Sequence, residues 1–155
     1  MRPILPVLIV AGLSLSACYD RADDEPQTAP APQAAAVLGG VDLGKPVRAV
    51  GTEPFWSVEI SRDALVYTRV DQASRRAVNH GARVEGTMAT FATSTDINEP
   101  LNVTLIATEC SDGMSDRLYP LTARVEIGDD TLSGCAASAS ALTTAPEAGP
   151  VAAAN

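Results

Sequence analysis

The chain has 155 residues, of which 46% are apolar, 19% charged and 4% aromatic. Its formal charge of -8 argues against a phosphate-backbone binder, which needs a basic surface, and against electrostatic docking on anionic lipid. One histidine and three cysteines argue against a His-based zinc enzyme, a Ser-His-Asp hydrolase and a Cys-rich metal module.

In chain order, the first feature is a targeting segment. Arg2 is the only charge before Asp20, and an apolar run from Ile4 to Leu13 follows it. This is a positive n-region and an h-region too short to span a bilayer. Leu15-Ser16-Ala17-Cys18 resembles the bacterial lipobox. The resemblance implies a signal peptide over 1–17, cleavage before Cys18 and acylation of its thiol, palmitate included. Such chains hold a protein on a membrane at about 0.8 kcal/mol per buried CH2. The plainer alternative is an ordinary secretory signal with an incidental Cys18. Tyr19 stands where an Asp would be the inner-membrane retention cue, so the expected location is the outer membrane of the cell envelope, on its periplasmic side.

Residues 18–44 carry Asp20, Asp23, Asp24 and Glu25, then Pro26, Pro30 and Pro32 among alanines, then Gly39-Gly40. They read as a lipid anchor and disordered tether. Residues 45–136 read as the folded domain; thirteen acidic and nine basic residues there leave a charge of -4. Residues 137–155 hold one charge, Glu147, and read as a disordered Ala-rich tail in which Pro146 and Pro150 limit any helix.

Within the domain the hydrophobic period is two. Trp56, Val58 and Ile60 alternate with polar neighbours, as do Leu101, Val103 and Leu105, and Leu121, Ala123, Val125 and Ile127. Each run predicts a strand with one buried face. Weaker strands are expected at Val47–Gly51, Ala64–Val70, Gly81–Glu85, Met88–Ala92 and Thr131–Gly134. Turn signals separate them, and Arg75-Arg76 and the lone His80 are expected in solvated turns. The fold class is therefore all-β, a small antiparallel barrel or sandwich of about seven to eight strands. A sheet this small escapes open edges by closing.

With Cys18 acylated, Cys110 and Cys135 have one pairing open to them, and export places them in an oxidising compartment. A structural disulfide is expected. The alternative, a reactive thiol or soft metal ligand, would have only His80 as a general base.

Two segments are denser in special residues than a plain sheet needs. In Gly51-Thr52-Glu53-Pro54-Phe55-Trp56, the adjacent aromatics point to opposite sides of a strand. One fills the core while the other sits at a rim. The segment Cys110 to Pro120 offers Asp112, Met114, Asp116, Arg117 and Tyr119 as a candidate binding loop. The plainer reading is a loop pinned by the disulfide, with Asp112-Gly113 making the turn and Asp116 pairing with Arg117 or capping backbone N–H groups. The two Asp lack an EF-hand spacing and are too few for a calcium shell; no metal site and no cofactor is expected.

The same segments, GTEPFW, CSDGMSDRLYP and a terminal LSGCA, resemble an uncharacterised family of proteobacterial envelope lipoproteins, whose members are sometimes joined to META (HslJ-like) domains. The resemblance covers about 45–136. It implies an envelope location and a small β fold, and no established activity, so no catalytic residues carry over. The expected function is a lipid-anchored binding or envelope-maintenance module without enzymatic chemistry, with a protein or small-molecule ligand. Inhibition of a host hydrolase such as lysozyme, which an acidic surface would favour by steering, is the alternative. Metal binding through Asp112, Met114 and Asp116 is a third reading.

Overall fold

Alternation of apolar and polar side chains builds nearly the whole molecule. The computed structural model describes residues 36–152; the expected signal peptide, the Cys18 anchor and most of the tether lie outside the described residues. In chain order the strands are β1 (Val37–Leu38), β2 (Val41–Asp42), β3 (Val47–Thr52), β4 (Phe55–Ile60), β5 (Ala64–Arg69), β6 (Arg75–Val78), β7 (Arg83–Glu85), β8 (Met88–Ser94), β9 (Pro100–Ile106), β10 (Cys110–Ser111), β11 (Asp116–Tyr119), β12 (Leu121–Ile127) and β13 (Asp130–Ser138). A single helix, α1 (Ala139–Thr144), and a last strand, β14 (Ala148–Pro150), follow.

Nine strands form one antiparallel sheet in the order β6-β5-β4-β3-β13-β12-β9-β8-β7. The sheet curls until β6 meets the end of β8. Ala77 bridges Thr95, the Asp96 N–H donates to the Arg76 carbonyl at 2.7 Å, and Thr93 Oγ1 donates to the Val78 carbonyl at 2.9 Å. These contacts cover part of the β6 edge, which an open sheet would offer to other chains. The concave face holds the core expected from the period-two positions, including Val58, Leu65, Val103, Leu105, Leu121 and Val125.

A second, smaller core lies on the convex side. Cys135 and Ala137 face away from the barrel and pack with Tyr119, Ala141 and Val151. Here β10, β11 and β14 form their own sheet, with β14 parallel to β11. The Cys110–Cys135 disulfide, with Cα atoms 5.5 Å apart, ties this layer to β13. It closes a span of 25 residues, which in the chain-entropy account stabilises by about 3.5 kcal/mol.

Three expectations need correction. The Ala-rich segment read as a disordered tail is folded from 137 to Val151. Ala136 and Ala137 are fully buried on opposite faces of β13, where covers on both sides leave room for methyl groups only. As expected of the prolines, α1 ends before Pro146. The domain also begins earlier than residue 45. Gly39 and Gly40, at φ 54° and 81°, make the two-residue hairpin between β1 and β2 for which paired left-handed residues are suited. That hairpin delivers Leu38 and Val41 to the barrel core. Finally, Arg75-Arg76 lies on β6, not in a turn. Register with β5 overrides a sequence in which only Ala77 is buried.

Two measurements check this scheme. Replacing Cys110 and Cys135 together by Ala is expected to lower stability in urea by about 3 kcal/mol while the strand signal in circular dichroism persists; unchanged stability would make the bridge energetically silent. Val151→Asp is expected to cost about 2 kcal/mol, the scale of one buried Val; a dispensable tail would tolerate it without loss.

Candidate functional site

Residues Asp112 to Ser115 connect β10 to β11, and the Asp112 carboxylate organises that connection. Its Oδ1 accepts the backbone N–H groups of Met114 at 3.0 Å and Ser115 at 2.8 Å. Its Oδ2 accepts the Ser115 hydroxyl at 2.8 Å and the Tyr119 hydroxyl at 2.9 Å. Asp followed by Gly favours such a local turn because a short carboxylate reaches backbone two and three residues on; Gly113 supplies the left-handed residue at φ 71°. The Asp112 carbonyl in turn accepts the Thr52 hydroxyl at 3.2 Å, fastening the loop to the end of β3.

Burial opposes ionisation of Asp112, but the four donors outweigh it and hold its pKa at about 2. Tyr119 is shifted the other way: burial, then its hydrogen bond to the Asp112 carboxylate, push its hydroxyl above the ordinary phenol range. Both Asp112 oxygens are thus committed to donors, which leaves little for a cation. Among the described residues there is no cluster of three or more His, Cys, Asp or Glu able to hold a metal.

The rest of the expected binding loop separates. Met114 is exposed. Asp116 lies on β11 in register with Ala148, so the backbone-capping role expected of Asp116 falls to Asp112. Arg117 turns to the C-terminal segment: its Nε donates to the Pro146 carbonyl at 2.9 Å and its Nη2 lies 3.8 Å from Glu147.

Asp112 and Tyr119 instead form one wall of a groove of about 390 Å³ beside β3, β4 and β5. The other walls are Arg48, Val50 and Thr52 from β3, Phe55 and Ser57 from β4, and Thr68 and Arg69 from β5, with Val70 beyond it. The two neighbouring aromatics split as their strand positions require. Trp56 is 4% exposed and Phe55 is 55% exposed, and both line the groove. Glycine makes the Trp56 position. A Cβ at Gly51 would stand 2.1 Å from the indole Nε1, and one at Gly134 would stand 2.1 Å from the Val50 carbonyl oxygen and 2.8 Å from the indole ring. The indole therefore lies across bare backbone of β3 and of β13 beyond it.

The groove is rich in donors. The Trp56 Nε1–H is buried with no hydrogen-bond partner. The Arg48 guanidinium has no ion-pair or hydrogen-bond partner among the described residues. Arg69 is held between Asp71 at 2.8 Å and Asp130 at 3.1 Å. Tyr67, one layer deeper on the same face of β5, is pushed above the ordinary phenol range by burial, an effect its Arg69 neighbour partly offsets.

Sequence reasoning reached Phe55, Trp56, Asp112 and Tyr119 and missed Arg48, Ser57, Thr68, Arg69 and Val70. Arg48 and Ser57 carried a usable signal, since they alternate with buried residues on their strands and so lie on the convex face. The approach of a loop 60 residues distant, at Thr52 and Asp112, carried none.

Asp112→Asn tests the role of the carboxylate. The folded pKa lies below the ordinary value of 3.8. The resulting stabilisation is complete above about pH 4 and is lost as pH falls through about 2. Allowing for partial solvent access, the substitution is expected to cost about 1–2 kcal/mol at pH 7. In urea unfolding the gap to wild type should shrink between pH 4 and pH 2. A gap independent of pH would assign the cost to hydrogen-bond geometry alone. Comparison of the chain with protein families, with curated proteins and with solved structures finds no match.

Proposed function

We propose that the chain is a lipid-anchored, periplasm-facing binding module whose ligand sits in the groove between the β3–β4–β5 face and the Asp112–Tyr119 loop. The observation that carries the reading is a groove that brings an exposed Arg48, with no ion-pair partner among the described residues, together with an exposed aromatic, Phe55, over the buried Trp56. Small-molecule sites combine such apolar walls with a few fixed polar groups.

The arrangement favours binding over catalysis. The lone histidine, His80, follows β6. That strand pairs Arg75 with Tyr67 toward the groove end and Val78 with Ala64 at the other, so His80 belongs to the far end of the barrel. Asp112 has its proton-accepting oxygens occupied by four donors. The one hydroxyl beside a carboxylate among the described groove residues, Tyr119, has its proton engaged by Asp112 and its pKa raised, which makes it a poor nucleophile. The anchor rests on the lipobox resemblance at Leu15 to Cys18, and the outer-membrane placement on Tyr19. No helix among the described residues is long and apolar enough to cross a membrane.

Two experiments bear on the proposal. Cys18→Ala is expected to move the protein from the membrane fraction to the soluble one; persistent sedimentation with membranes refutes the anchor. In isotope-labelled protein, a small-molecule mixture is expected to shift the Trp56 indole N–H resonance together with the amides of Thr52, Phe55 and Thr68. Shifts clustering elsewhere would remove the groove as the site.

A further inference from the structure

The uncommitted charge lining the groove is one-sided, and that specifies a ligand. Among the described residues Asp112 is the only carboxylate lining it, and four hydrogen bonds occupy its accepting oxygens. Tyr119 and Thr52 spend their hydroxyl protons on Asp112. The charged donor left over is the Arg48 guanidinium, beside the Ser57 hydroxyl and the buried Trp56 N–H. Glu59 stands opposite Arg48 on β4, but it forms no ion pair with it among the described residues and does not line the groove. Arg48 is thus the one cation lining the groove without an ion-pair partner among the described residues, since Arg69 is held by Asp71 and Asp130.

The apolar half of the site lies at its other end. Phe55 is 55% and Val70 86% exposed, an arrangement that leaves an aromatic face and a branched aliphatic side chain in water. Phe55 pairs with Thr52, four residues along β3 from Arg48, which places the apolar and cationic ends about 13 Å apart along the strand. A ligand meeting both carries its charge and its apolar group on a short linker.

Resting on the groove as the binding site, we propose that it takes a small organic carboxylate, with the carboxylate held by Arg48 and an apolar ring or chain seated against Phe55 and Val70. Guanidinium and carboxylate match as a planar two-bond pair. The volume of about 390 Å³ lies in the range of small-molecule sites, roughly 300–1,000 Å³.

The test uses the full chain and a matched pair of probes, 4-phenylbutyrate and its uncharged counterpart 4-phenylbutanol. Affinity is read by titration calorimetry, and the emission of Trp56, the sole tryptophan, reports whether binding occurs in the groove. The carboxylate is expected to bind about tenfold or more tightly than the alcohol, the scale of one charged hydrogen-bonded pair. Arg48→Gln, at an exposed position, is expected to abolish that advantage and leave alcohol binding unchanged, whereas Phe55→Ala weakens both. Equal affinities in the wild-type chain, or an advantage that survives Arg48→Gln, overturn the carboxylate assignment while leaving the groove as a binding site. Absence of heat and of any Trp56 response with both probes overturns the groove reading itself.

Discussion

The structure depends on one strand that has no exposed face over half its length. From Cys135 to Ser138, β13 is buried throughout, with the barrel core on one side and the convex layer on the other. A strand covered on both faces must carry residues small enough for two layers to approach. Gly134-Cys135-Ala136-Ala137-Ser138 meets that requirement. Gly134 is the limiting case, since a single added carbon would collide with backbone of β3 and with the Trp56 ring. The disulfide then fixes the outer layer to this shared wall, so the barrel and the loop that borders the groove hold a constant relation.

The loop itself is ordered by satisfied polarity rather than by apolar packing. One carboxylate with four donors is a charge-assisted network, stronger than neutral hydrogen bonds, in a connection whose one large apolar side chain, Met114, is exposed. That network uses up the most conspicuous acid of the loop, and the free chemistry of the groove passes to residues of plain appearance on the neighbouring strands. An aspartate in a polar loop is here a structural group, and an arginine on a regular strand is the reactive-looking one.

How much of this was legible from residues follows from the range of the interactions. Alternation along β4, β9 and β12 is local, and it specified those strands and their core faces directly. The disulfide followed from the cysteine count and the expected export. The opposite fates of Phe55 and Trp56 followed from strand geometry alone. What escaped was decided between distant segments. The closing edge of β6 forms because Thr95 and Asp96 meet it, β14 forms because β11 offers it a ladder, and the groove because Thr52 meets Asp112. The β1–β2 hairpin was within reach, since Gly39-Gly40 is a turn signal. Its proline- and acid-rich surroundings drew the reading toward a tether instead.

The folded alanine-rich end has a consequence for how such sequences are parsed. Ala, Ser and Gly in succession form the compositional signature by which segments are set aside as low-complexity before any structural reasoning begins. In this chain that filter would delete the strand and helix that cover Cys135 and Tyr119, and the remaining domain would present an apolar flank and a solvent-open disulfide. Small-residue runs that follow a cysteine in a β protein therefore mark close contact between layers as readily as they mark loose chain. Domain boundaries drawn by composition alone will cut such proteins through a wall.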